Sequence, residues 1–168
     1  MTTSQTQVQS SRPAYLIALE EQYGGPKSEG SGSAVFFLQV VPDMDMERLA
    51  KAAYQHFLGW LWERRGEAMF AEWGEVWRRQ ADSTAPRGTI LDGLSQSGNF
   101  FVEMQVEQLI YNHDSPDEAQ AAISLAFDDP SVTDARAYYL GDGEMWTGVL
   151  LGGQRSNGDT TFLIYLSD

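Results

Sequence analysis

MWTGVLLGGQRSNGDTTFLIYL, residues 145–166, reads as two strands with a turn between them. Met145 to Leu151 and Thr160 to Leu166 are short runs rich in aliphatic, aromatic and β-branched side chains, each bounded by turn residues. Gly152-Gly153 and Asn157-Gly158-Asp159 mark the connection, and an Asn-Gly step favours a hairpin because both residues tolerate positive φ. A hairpin here argues for an antiparallel sheet, and the strands and helices are then sought outward from it.

Upstream, Thr133 to Leu140 reads as another strand. Ser115-Pro116-Asp117-Glu118 announces a helix: Ser suits the N-cap, Pro the first helical position, and Glu three residues on completes a capping box. That helix runs through Ala119, Ala122, Ile123 and Ala126 to about Phe127, where Asp128-Asp129-Pro130 stops it. From Asn99 to Tyr111 the pattern alternates, with Phe100, Val102, Met104 and Val106 on one side and Phe101, Glu103, Gln105 and Glu107 on the other. A period of two predicts a half-buried antiparallel strand. Residues 81–98, rich in Ser, Thr, Gly and Pro around a Thr89-Ile90-Leu91 island, read as a connection.

Further upstream, Pro42-Asp43-Met44-Asp45 opens a helix whose apolar stripe is Met46, Leu49, Ala50, Ala53, Phe57, Trp60 and Leu61. Gly66 ends or kinks it. A second stripe (Met69, Phe70, Trp73, Val76, Trp77) predicts a second helix closed by Arg78 and Arg79. Ala34 to Val41 is β-branched and aromatic, a buried strand, and Ala14 to Leu19 reads as strand one. The Gly/Ser/Pro stretch 23–33 joins those two as a long, mobile connection. Residues 1–12 are polar and read as a disordered tail, leaving residues 13–168 as a single globular domain. The order β-β-α-α-β-α-β-β-β predicts an α+β fold: a mostly antiparallel sheet with helices on one face.

Composition narrows the function. The chain has 168 residues and a net charge of −13, enough length for one core that buries about 70% of the unfolded surface. It has no Cys, which removes disulfides, thiolate nucleophiles and Cys-ligated metals. No apolar run approaches the ~18 residues of a membrane span, and the first residues have no apolar core of a secretory signal, so the expected location is cytoplasmic. Residues 81–168 hold 14 Asp or Glu against Arg87, Arg136 and Arg155, with no Lys, whereas residues 1–80 are nearly balanced. That asymmetry repels nucleic acid and anionic membranes and attracts basic proteins. The basic pairs Arg64-Arg65 and Arg78-Arg79 are interleaved with Glu63, Glu67, Glu72 and Glu75, which also disfavours nucleic acid.

The acids concentrate at Asp114, Asp117, Glu118, Asp128, Asp129, Asp134, Asp142 and Glu144, with Arg136 as the base among them. They form the candidate partner-binding surface. Turn and cap chemistry explains many of these positions, but it does not explain the missing bases. Asp128-Asp129 and Asp142-Gly143-Glu144 could offer oxygen ligands to a divalent cation, yet their spacing does not match an EF-hand loop, and no metal or cofactor is expected. Trp60, Trp73 and Trp77 fall on the apolar stripes; Trp62, with Leu58, is the candidate exposed apolar edge. His56 sits beside a core face. His113, at a strand-to-helix junction, with Glu103 and Glu107 on one strand face, is the alternative site for acid–base chemistry. No G-x-S-x-G elbow or phosphate loop is present.

The expectation is therefore a non-enzymatic acidic interaction protein that binds a basic partner, as an inhibitor, immunity-type protein or nucleic-acid mimic does. Two alternatives stand beside it. One is a small enzyme or small-molecule binder using His113 and the strand carboxylates. The other is a structural subunit that assembles through helices in residues 46–80.

Overall fold

The computed structural model describes residues 12–40, 44–80 and 88–168. Along these the chain runs α1 (Ala14–Tyr23), β1 (Gly32–Gln39), α2 (Met46–Leu58), α3 (Trp60–Arg65), a 3₁₀ turn (Gly66–Phe70), β2 (Gly74–Gln80), α4 (Ile90–Ser95), α5 (Phe100–Val106), a π turn (Glu107–Tyr111), α6 (Pro116–Phe127), β3 (Val132–Gly141), β4 (Thr147–Arg155) and β5 (Asp159–Ser167). The strands form one antiparallel sheet in the order β1-β5-β4-β3-β2. The fold is α+β, and the β4–β5 hairpin lies at its centre.

The hairpin turn is built as its residues imply. Asn157 Oδ1 accepts from the Asp159 N–H at 2.9 Å, and Gly158 takes φ +96°. Gly152 and Gly153 belong to β4 itself rather than to the turn. They lie where helices press on both sides of the strand. A Cβ on Gly152 would sit 3.1 Å from Met46 Sδ of α2, and one on Gly153 would sit 3.0 Å from Phe127 Cδ1 of α6.

Helices therefore pack on both faces of the sheet, not on one. Val35, Ala137, Val149, Leu151 and Leu163 meet α1, α4, α5 and α6 on the first face. Ala34, Phe36, Tyr138, Leu140, Leu150, Phe162 and Ile164 meet α2 and α3 on the second. The signal was present in Val149-Leu150-Leu151 and Phe162-Leu163-Ile164: consecutive apolar residues on a strand place apolar groups on both faces, and both must be covered.

Four segments depart from the sequence reading. Residues 14–19 belong to helix α1, which buries Leu16, Leu19 and Tyr23 at spacings of three and four. A short apolar run fits either period, and packing against α6 selects the helix. β1 accordingly pairs with β5 instead of closing a hairpin with residues 14–19. The connection between them is anchored: the Gly30 N–H donates to Phe57 O at 3.0 Å, Trp60 Nε1 donates to Glu29 O at 2.8 Å, and the Val35 N–H donates to Gly24 O at 3.1 Å. Gly59, at φ +51°, permits this contact, since a Cβ there would lie 2.3 Å from Ser28 O.

Residues 69–79 are not a second helix. Met69 and Phe70 lie in the 3₁₀ turn, and β2 pairs with β3 along Gly74–Gln80, with a bulge between Glu75 and Trp77. Sheet pairing overrides the helical spacing, and Trp73 stacks on Tyr138 with ring centroids 4.7 Å apart. Residues 46–80 thus hold α2, α3, the 3₁₀ turn and β2 rather than two long helices.

Residues 99–111 are helical rather than a strand. Asn99 Oδ1 caps α5, accepting from the N–H groups of Phe101 and Val102, and the π turn continues it. Val102, Gln105, Val106, Leu109 and Ile110 face inward. Helix α6 forms as read, with Pro116 in its first turn, but the Ser115 side chain makes no cap bond. The island at 89–91 opens helix α4, capped by Thr89 Oγ1 accepting from the Asp92 N–H. The tail read at residues 1–12 lies almost wholly outside the described residues, as do Pro42, Asp43 and residues 81–87.

Replacing Gly153 by Val should lower stability by about 1–3 kcal/mol, because Phe127 and Val132 leave no room for a branched side chain. Urea denaturation measures it; an unchanged midpoint would show that α6 can lift from the sheet without penalty.

Candidate interaction surface

The eight carboxylates singled out in the C-terminal half divide into two sets. Asp142 is fully buried at the side chain: its Oδ1 accepts from the N–H groups of Glu144, Met145 and Trp146 at 2.9–3.0 Å, and its Oδ2 lies 3.0 Å from Arg65 Nη2. Asp128 Oδ1 accepts from Arg79 Nη1 at 2.8 Å and from the Ile90 N–H at 3.0 Å. Arg79 also donates to Gly88 O and Phe127 O, tying β2 to the end of α6. Asp134 takes Arg136 in a two-point contact at 2.9 and 2.8 Å. Asp129 accepts from the Ser131 N–H and Oγ, with Arg155 3.7 Å away. These four are structural groups: Arg65, Arg79 and Arg155 reach Asp142, Asp128 and Asp129 across the fold, and Arg136 holds Asp134 from two residues away.

The second set is outward. Asp114, Asp117 and Glu118 are exposed at the start of α6, where first-turn acids suit the helix dipole. Glu144 is 77% exposed although Arg65 approaches it at 3.4 Å. The remaining ion pairs among described residues set Arg12, Lys27, Lys51 and Arg78 against Glu20, Glu29, Glu47 and Glu75, and Glu75 also lies 3.7 Å from Arg136. Between Gly88 and Ala135 the sequence contains no Lys or Arg at all. Of the acids in that stretch, Asp92, Glu107, Asp114, Asp117 and Glu118 are exposed and Glu103 is half-buried, and no ion pair among described residues includes any of them.

The alternative acid–base set does not assemble. His113 lines a cavity of about 220 Å³ with Gln22, Tyr23, Gln108, Asp114 and Tyr165, but Glu103 and Glu107 do not line it. Both nitrogens of His113 are engaged: Nδ1 accepts from the Ser115 N–H at 2.9 Å, so the proton sits on Nε2 and is donated to Gln22 O at 3.0 Å. The ring bridges α1 to the start of α6. Burial pushes the neighbouring Tyr23 phenol up, and its hydroxyl donates to Leu109 O at 2.8 Å.

The expected apolar edge of Leu58 and Trp62 does not form either. Leu58 is fully buried in the second core, and Trp62 is half-buried with its ring edge-on to Phe70 at 5.9 Å. Trp62 borders an open groove of about 480 Å³ with Ser28, Gln55, His56 and Glu63.

A different apolar surface is exposed. Phe100 is 67%, Phe101 54%, Tyr111 71% and Met145 60% exposed, and Met104 lies beside them on α5. At 100° per residue, Phe100 and Met104 fall within about 40° of one another on α5, opposite Val102 and Val106, and Tyr111 is exposed at the end of the π turn that follows. Phe101 and Met145 enter a groove of about 310 Å³ with Tyr139 and Trp146, and Glu72 and Glu144 stand at its border. The sequence carried this signal in Phe100 and Met104, whose spacing of four fits a helical stripe as well as it fits alternation.

A scan against protein-family models, a search of curated proteins and a search of solved structures each return no match. Among the described residues no helix is long and apolar enough to cross a membrane, and no three His, Asp or Glu side chains are grouped as a metal site.

Burial raises the Asp142 carboxyl, but the three backbone N–H groups and Arg65 outweigh it and hold it below the ordinary 3.8. Ser131, then Arg155, do the same for Asp129. A depressed folded value means that the stabilisation is complete above 3.8 and is lost as pH falls through the lower folded values. Stability should therefore hold from neutral pH down to about 5 and fall below about 4. In urea titrations Asp142→Asn should be less stable at pH 7 and show a shallower acid decline. A variant that matches the parent at pH 7 would remove Asp142 as an anchor of the 142–146 turn.

Separately, His113→Ala should destabilise by about 1–2 kcal/mol through its two lost backbone hydrogen bonds. Thermal unfolding reads it, and an unchanged transition would show that the α1–α6 junction does not depend on the ring.

Proposed function

We propose that this chain is a non-enzymatic interaction protein that binds a basic protein partner in the cytoplasm, in the role of an inhibitor, an immunity-type protein or a nucleic-acid mimic. The observation that carries this reading is the destination of its bases. Arg65, Arg79, Arg136 and Arg155 are engaged with Asp142, Asp128, Asp134 and Asp129. What the stretch from Gly88 to Ala135 presents outward is carboxylate without a compensating base in that stretch. A surface of one sign raises the encounter rate with an oppositely charged partner and discourages like-charged ones, nucleic acid included. Asp114, Asp117 and Glu118 are the members of the original acidic set that no described Arg or Lys engages, and Glu144 stays largely exposed beside Arg65.

Capture from the lysate of the native host at about 50 mM salt, followed by a salt step, tests the reading, since exposed charges are screened within about 10 Å at 0.1 M. The expected result is a basic protein released by the step. The triple variant Asp114→Asn, Asp117→Asn, Glu118→Gln should hold it more weakly and with less salt dependence. Capture of an acidic partner, or retention that salt does not touch, would overturn the reading.

A further inference from the structure

We infer that the outer face of α5 and its π turn is the docking surface, and that its occupant is an amphipathic basic segment of the protein partner: large apolar residues along one side, Lys or Arg along the other. The inference rests on the functional reading above and names the surface and the partner chemistry it would use.

Phe100 and Met104 make an exposed apolar row on α5, and Tyr111 is exposed at the end of the π turn that continues it. Exposed apolar groups scattered singly are ordinary; several on one helix, next to a groove that Phe101 of the same helix lines, are not. At the start of the row Phe101 and Met145 enter the groove bordered by Glu72 and Glu144. Beyond its end lies Asp114. Glu103 and Glu107 share α5 and the π turn with the row, and by helical spacing both fall on the same side of it. The elements that carry the row contain no Lys or Arg.

Charge decides among possible occupants. A second copy of this chain would bring the same carboxylates against themselves, with −13 on each copy. An anionic lipid surface is repelled for the same reason. A basic amphipathic segment satisfies both parts of the face: its apolar side covers the aromatic and Met side chains, and its cations meet Glu72, Glu103, Glu107 and Glu144. This is helix-in-groove recognition, in which apolar anchors supply affinity and flanking charge supplies orientation.

The test uses the full chain and three synthetic peptides of about 16 residues, with binding read by fluorescence anisotropy at 0.1 M salt. One peptide is a Leu/Lys sequence with its Leu residues on one helical face. A Leu/Glu sequence has the same pattern, and a Lys/Ser sequence keeps the charge without the apolar face. The Leu/Lys peptide should bind at least ten-fold more tightly than either control. The double variant Phe100→Ser, Met104→Ser should lose at least ten-fold in affinity for it while keeping the parent's thermal unfolding, because both side chains are exposed.

If the Lys/Ser peptide binds as well as the Leu/Lys peptide and the double variant binds like the parent, contact is by charge alone. The docking inference then fails while the functional reading stands. If neither basic peptide binds and capture yields no basic protein, the functional reading itself fails. If sedimentation shows the parent to be a dimer and the double variant a monomer, the face is self-complementary and the inference is overturned.

Discussion

The structure depends on covering the central strand from both sides at once. β4 lies between β5 and β3, and its side chains face different helices alternately. Where Gly152 and Gly153 follow each other, Met46 approaches one and Phe127 the other. A side chain at either position would separate a helix from the sheet, and the apolar residues of β3 and β5 would lose part of their cover. The hydrophobic stabilisation of both cores is therefore tied to two adjacent positions that contribute almost no apolar surface of their own.

Electrostatics fasten the outer parts to this centre. Arg79 joins the edge strand β2 to the end of α6 through Asp128 and Phe127 O, and Arg65 joins α3 to the 142–146 turn through Asp142. Both acids also accept backbone N–H groups, so each pairing fixes a turn as well as balancing a charge. The engaged carboxylates are all Asp, and Asp128, Asp129 and Asp142 lie at turns or caps as Asp114, Asp117 and Glu118 do. What separates those last three from the engaged ones is that no Arg among the described residues is paired with them.

That distinction shows how far the sequence could be read. The hairpin, β3, α2 and α6 were legible because local turn and cap chemistry agrees with the final packing. Residues 14–19 and 69–79 were not, because a short apolar run satisfies helix and strand alike until its neighbours are known. Residues 99–111 presented both periods together, and the alternating one is the one that fails. At the site, the deficit of bases around the acids was a correct count along the chain, but Arg65 reaches Glu144 across 79 positions and Arg79 reaches Asp128 across 49. Asp114, Asp117 and Glu118 remain outward as read. The exposed Phe100–Met104 row is hidden when residues 99–111 are read as a strand, and Leu58, read as an exposed edge, is fully buried.

The two rims of the sheet carry a consequence of their own. On β2 the bulge after Glu75 breaks the regular ladder, and Arg78 and Arg79 add charge to the strand; on β1 the Val35 N–H is already taken by Gly24 O. An incoming backbone finds neither rim open as a regular ladder to extend. Growth by templated stacking of copies, the first step toward fibrils, is thereby obstructed. A partner of the kind proposed would have to be recognised by side chains on the helical surface, where specificity can be written residue by residue.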